Sequence, residues 1–102
     1  MQIVNSSTSF GPVSGSGPQV TSVAVDMGSS VTKAVAFLTG FTAEYSGGSD
    51  HNLGLLDVQV QVPGGGISGS TVNVQVTYGL RDWSDNWDDQ YDGQVFFTVI
   101  GE

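Results

Sequence analysis

The sequence predicts an all-β fold, a small antiparallel β-sandwich of about six strands, and three observations support that prediction. Val occurs 15 times among the 102 residues, against 4 Ala and 5 Leu, and this bias favours strands over helices. Gly also occurs 15 times, about twice its usual ~7% share, so the chain turns often. Between the turns, apolar residues recur at every second position, which is the period of a strand with one buried face.

The chain begins with residues 1–18, which we expect to form a flexible or loosely packed N-terminal arm. Residues 5–18 contain two Pro, three Gly and five Ser, a composition typical of loops that bury little surface. Residues 19–26 then alternate regularly and end at a Gly-Ser-Ser turn. We therefore predict the first strand at residues 19–26.

The longest apolar run covers residues 31–45, where we expect one long strand or two bent halves. Its odd positions are mostly apolar, and Gly40 interrupts the run as a candidate β-bulge. Residues 46–52 follow as a polar, Gly-rich loop, because Ser, Asn and Asp side chains bond their own backbone in turns.

Three further strands are predicted in the second half of the chain. Residues 56–62 and 72–78 alternate strictly and are separated by the turn 63–66 and residues 67–70, so they are predicted to form a hairpin, while residues 94–100 are apolar on both faces. The predicted core residues are Val35, Phe37, Val58, Val60, Val62, Val72, Val74, Val76, Val95, Phe97 and Val99.

Residues 19–102 are expected to form a single sandwich domain of jelly-roll or lectin-like form, because the linkers are short and no long helix is predicted. Cys is absent, so no disulfide supports the fold, and a net charge of −8 with two basic residues disfavours nucleic acid as a partner. We see no signal peptide and no apolar run long enough to enter a membrane, and expect a soluble protein. The Gly-rich, Lys-poor composition favours an extracellular or particle-surface location.

Residues 81–93 hold both Trp and five of the ten acidic residues. Clustered carboxylates repel one another unless they are solvated or a hard cation neutralises them, which makes Ca²⁺ a candidate. The regular EF-hand spacing fails, because starting at Asp82 puts Trp87 where the invariant Gly belongs. The candidate metal ligands are Asp82, Asp85, Asp88, Asp89 and Asp92. The alternative is a solvated acidic connection that keeps the protein in solution.

Three aromatic residues in this segment, Trp83, Trp87 and Tyr91, are spaced by four. One interpretation is that they pin a short helix or wound loop onto the end of the sandwich. The other is that they form a platform for the faces of sugar rings, with Asn86 and the lone His51 as further ligand-binding residues. His51 lies in the polar loop, where a purely structural role is the alternative.

Residues 73–100 carry a Val-x-Val-x-Tyr-Gly strand, an Asp-rich loop, Tyr91-Asp92-Gly93 and an apolar strand. In this part the chain looks like the terminal hairpin of small bacterial calcium-dependent galactose-binding lectins. The resemblance implies a sugar-binding loop that holds calcium. The loop here is longer and richer in Asp than in Asn, and no family is identified across the whole chain.

These observations predict a non-catalytic, lectin-like module that binds a glycan or cell-surface carbohydrate through residues 82–93. The alternative is a structural, self-assembling subunit of a particle, fibre or surface layer. An enzyme is disfavoured, because the chain has one His, no Cys and no G-x-S-x-G motif. A homo-oligomer is expected, because two strands carry apolar residues on both faces, namely Ala34, Ala36 and Leu38 in one and Phe96 and Ile100 in the other.

Overall fold

A computed structural model describes residues 1–13, 17–46, 52–84, 86–87 and 89–102. The fold is all-β, as predicted, with seven strands where about six were expected. They are β1 (Gln2–Val13), β2 (Gln19–Asp26), β3 (Ala34–Tyr45), β4 (Leu53–Gln61), β5 (Ile67–Ser68), β6 (Thr71–Asp82) and β7 (Tyr91–Gly101). The additional short strand is β5.

The strands form two antiparallel sheets, which confirms a small β-sandwich. One sheet has the order β1-β7-β3, and the other has the order β2-β6-β4 with β5 also paired to β6. The long strands β6 and β7 are therefore central. The predicted pairing of the strictly alternating strands is confirmed as β4 against β6, with Val60 opposite Val76.

The core lies between the inward faces of β6 and β7. Six predicted core residues are fully buried: Val72, Val74, Val76, Val95, Phe97 and Val99. Val58, Val60 and Val62 are partly buried and pack against this cluster from β4 and the residue after it. Phe10, Tyr78, Leu80 and Tyr91 extend the core towards the end of the sandwich where β6 ends and β7 begins.

The N-terminal stretch is a strand, so the expectation of a loop at residues 5–13 is wrong. Residues 2–10 pair one for one with β7, from Gln2 opposite Gly101 to Phe10 opposite Gly93. The inward positions of β1 include Ser6 and Thr8, opposite buried Phe97 and Val95. Polar residues at inward positions remove the period-two hydrophobic pattern, although the backbone pairs normally.

Strand β3 contains the predicted bulge, and its position corrects two core predictions. Leu38 lies opposite Phe97 and Gly40 opposite Phe96, so Thr39 is an extra residue. One extra residue exchanges the two faces of a strand, so even positions face inward before Thr39 and odd positions after it. Val35 and Phe37 therefore lie on the outer face and are 47% and 49% exposed. Their placement in the core is wrong.

The described part of the chain contains no helix with the length and hydropathy of a membrane span.

Candidate functional site

The segment that joins β6 to β7 begins with a turn fixed by three hydrogen bonds. The backbone N–H and the hydroxyl of Ser84 both donate to Oδ1 of Asp82, the former at 2.9 Å. The N–H of Trp83 donates to the carbonyl oxygen of Asn52, beside the start of β4, at 3.1 Å. The turn is thus held both by the side chain of Asp82 and by the backbone of the residue before β4.

Trp83 projects from this turn into solvent, with 71% of its surface exposed. Asn52, Ser84 and Asn86 are exposed as well and carry amide or hydroxyl groups. The turn therefore presents an open aromatic face together with neutral hydrogen-bonding groups.

Trp87 occupies a different environment, because it packs against the body of the sandwich. Its indole lies over Gly79 of β6, where an added Cβ would come within 2.8 Å of Cη2. The Arg81 guanidinium carbon is 5.9 Å from the centre of the Trp87 ring, a distance suited to a cation–π contact. Trp87 is partly buried and closes the end of the core.

Tyr91 lies deeper still and is fully buried. Its ring is 6.0 Å from that of Trp87 and 5.7 Å from that of Tyr78, and Phe10 follows at 5.2 Å from Tyr78. Four aromatic rings thus form a continuous chain that fills one end of the sandwich. Although they are spaced by four in the sequence, the three aromatic residues differ in burial: Trp83 is exposed, Trp87 is partly buried and Tyr91 is fully buried. No helix occurs among the described residues of this segment.

Two tyrosines near this end have altered acidity. Burial, followed by the nearby carboxylate of Asp92, raises the pKa of Tyr78 from 10.0 to about 12. Burial, followed by the charges of Asp82 and Asp89, also raises the pKa of Tyr45. Both phenols stay protonated at neutral pH, and Tyr78 uses its proton to bond the Asp92 carbonyl.

The candidate metal ligands are only partly described. Asp85, Asp88 and His51 lie outside the described residues. Asp82 is engaged by Ser84, and Asp92 has a buried Oδ1 without a hydrogen-bond partner among the residues described. Among the residues that the structure describes, no three or more His, Asp or Glu side chains form a group suited to a metal ion. Asp82, Asp89 and Asp92 alone therefore form an incomplete donor set for Ca²⁺.

The residues that position the tryptophans were not predicted from the sequence. Asn52, the residue before β4, anchors the Trp83 turn, and Gly79 provides the surface on which Trp87 lies. Gly17 also faces Trp87 so closely that a side chain there would clash with the indole. Gly79, in the interior of strand β6, was the one signal of close approach there.

Comparison with known proteins assigns no family to this arrangement. No family model matches the chain, no curated protein sequence matches it, and no solved structure matches its fold.

Proposed function

We propose that this protein is a non-catalytic module that binds carbohydrate, with the ring of a sugar stacked on Trp83. The observation that carries the proposal is the exposed indole of Trp83, of which 71% is open to solvent, on a turn held by hydrogen bonds at both sides. Trp combines a large apolar ring with a polar N–H and is enriched among the residues that anchor ligands and partners, so a fixed and open indole is a suitable platform for a ligand.

The chemistry around Trp83 favours a sugar over a purely apolar ligand. One face of a pyranose presents C–H groups that pack on an indole, while its hydroxyls require hydrogen-bond partners. Ser84 and Asn52 lie next to Trp83 in the turn and carry neutral hydrogen-bonding groups, and exposed Asn86 follows three residues later in the sequence. Because the turn is already ordered, binding would lose little conformational entropy there.

Within this proposal the predicted ligand-binding residues have different roles. Trp83 and Asn86 contact the ligand, and Trp87 borders the site with its exposed edge. Tyr91 supports Trp87 from below, since its own ring is fully buried. A contact from His51, and calcium bound by the acidic residues of loop 82–93, stay predictions, and the stacking on Trp83 depends on neither.

Glycan-array binding of labelled protein tests the proposal, followed by titration of the best-bound glycan. We expect Trp83→Ala to weaken binding about tenfold or more, equal to ~1.4 kcal/mol of lost ring contact, and Trp83→Phe to retain part of the affinity. Val20→Ala is the control. Val20 is 57% exposed and lies on β2, the edge strand on the other side of β6 from β4. Absence of any bound glycan, or equal affinity of wild type and Trp83→Ala, would reject the proposal.

A self-assembling structural subunit is the second candidate. It is favoured by four exposed apolar side chains on β3, namely Val35, Phe37, Leu38 and Phe41. A fibre or layer requires two different contact surfaces on each copy, whereas one self-complementary surface closes after a dimer. Electron microscopy of the purified protein without ligand separates these cases.

A further inference from the structure

Strand β3 is an edge strand that has the bulge at Thr39 and little other protection against pairing. It is 12 residues long, and in the described chain only β7 pairs with it. Four of its apolar side chains are 42–49% exposed: Val35, Phe37, Leu38 and Phe41. It contains no Pro and no Lys, and Glu44 near its end is its one charged residue. Long apolar edges of this kind pair readily with another strand.

The other sheet edges carry Pro or more polar groups than β3 does. Strand β1 contains Pro12 and several Ser and Thr residues. Strand β4 has polar outward residues, where the Gln59 amide donates to Asp57 at 2.7 Å. The exposed positions of β2 include Ser22 and Asp26. Polar groups and Pro discourage edge pairing, so β3 is the edge with the strongest tendency to associate.

The core is also incomplete along β3. Leu38 and Phe41 lie opposite buried Phe97 and Val95, so they belong to the inward face of the sheet, yet both are 42% exposed. Strand β4 faces β3 across the sandwich on this side, and its Leu53 and Leu55 are exposed too. A further strand beside β3 would cover the inward-facing pair.

We propose that a second copy of this chain occupies this side, with the two β3 strands paired antiparallel about a two-fold axis near Thr39. The pairing joins two three-stranded sheets into one of six strands and satisfies the free backbone groups of both edges. It is isologous, so each copy uses the same surface and assembly stops at the dimer. This inference is independent of the proposed carbohydrate site.

Charge and the length of the edge agree with a second copy as the occupant. The chain has a net charge of −8, which opposes association wherever acidic residues meet. On β3 the single acid is Glu44, and antiparallel pairing places the two Glu44 residues at opposite ends. The molecule measures 46 × 20 × 17 Å. Strand β3 has 12 residues, which at about 3.3 Å per residue gives each copy a paired edge roughly 40 Å long, close to the full length of the molecule.

Sedimentation equilibrium with charge variants at the centre of β3 tests the dimer. Since one chain has a mass of 10.6 kDa, we expect wild type at twice that mass, and Leu38→Asp and Leu38→Lys each as monomers because like charges meet at the axis. Mixing the two variants should restore the dimer mass. Val20→Asp is the matched control on the β2 edge and should remain dimeric.

Hydrogen exchange of the wild-type protein provides a second measurement, which is needed if the Leu38 variants unfold. Backbone amides of β3 should become less protected on dilution, while those of β2 should not change. A wild-type mass of 10.6 kDa at every concentration would overturn the proposal. So would equal dissociation by Val20→Asp, or protection of β3 that does not depend on concentration.

Discussion

The phenol of Tyr78 donates a 2.7 Å hydrogen bond to the carbonyl oxygen of Asp92, which links central strand β6 in one sheet to central strand β7 in the other. Gly93 allows this contact, because a side chain at that position would clash with the phenol oxygen. The two sheets are thus joined by a polar contact inside an otherwise apolar core.

This contact predicts a loss of stability in strong alkali. Burial raises the pKa of Tyr78 from 10.0 to about 12, so the protonated phenol is favoured in the folded state. Its contribution to the free energy of unfolding is fully present below pH 10 and is lost as the pH rises towards 12. We expect Tyr78→Phe to lower stability by about 1–2 kcal/mol at neutral pH.

Urea unfolding at a series of pH values measures this effect. Between pH 10 and about 12, the interval set by the pKa of Tyr78, the variant should lose less stability than wild type. Burial also raises the pKa of Tyr45. Deprotonation of Tyr45 therefore accounts for part of the pH dependence of stability that remains in the variant. Parallel pH profiles for the two proteins would contradict the role given to Tyr78.

The packing of Trp87 predicts a strong effect of a small substitution in β6. A Cβ at position 79 would lie 2.8 Å from both Trp87 Cη2 and Pro18 Cβ, so Gly79→Ala must displace the indole or the chain at Pro18. We expect a loss of about 1–3 kcal/mol and a change in the near-ultraviolet circular dichroism of Trp.

Gly64→Ala is the matched control, since a Cβ there meets nothing within 4 Å. Its stability should stay within about 0.5 kcal/mol of wild type. Equal stability of the two variants would show that Trp87 does not pack on Gly79.

The bulge in β3 predicts opposite outcomes for two valines that the sequence pattern places together in the core. Val99 is fully buried, whereas Val35 is 47% exposed. We expect Val99→Ala to cost about 1–3 kcal/mol and Val35→Ala under ~0.5 kcal/mol. Chemical denaturation at low protein concentration measures both, and a larger cost at position 35 would contradict the assigned faces.

Calcium binding by loop 82–93 predicts a higher melting temperature. A ligand that binds only the folded state stabilises it by about 2.7 kcal/mol at 100 times its Kd, and each kcal/mol shifts the midpoint of a domain of this size by ~4–8 °C. Melts with excess Ca²⁺ and with chelator measure this shift. Asp89→Asn should reduce it, and Asp57→Asn on β4 is the control outside the loop.

Magnesium at equal ionic strength separates binding from screening, because any cation relieves repulsion in a chain of net charge −8. If Mg²⁺ raises the midpoint as much as Ca²⁺, or if neither changes it, the calcium prediction is wrong.

The sequence predicted strands accurately where hydrophobic alternation and turn residues coincide. Strand β2 has the predicted bounds, residues 19–26, because its alternating segment ends at a Gly-containing turn. Strand β1 was missed because a strand is held by backbone pairing, and Ser6 and Thr8 at inward positions erase the hydrophobic pattern. The faces of β3 were assigned wrongly before Thr39 because a pattern cannot show which residue is extra.

The candidate site was predictable as a segment and not as a geometry. Concentration of Trp and Asp marked residues 81–93 from composition alone. The Trp83 turn is held by Asn52, and Gly17 lies against Tyr91 and Trp87, and both partners lie far away in sequence. Regular spacing along the chain carries no information about such distant partners.

Thr39 also makes the length of β3 adjustable. Its neighbours Leu38 and Gly40 lie opposite the consecutive residues Phe97 and Phe96, so a gene that lost the Thr39 codon would still encode every other pair of this ladder. Loss of any other residue within the strand would shift the pairing of the residues after it. Insertion and deletion at this one site are therefore open to evolution, and the shortened, straighter edge would be more prone to aggregate.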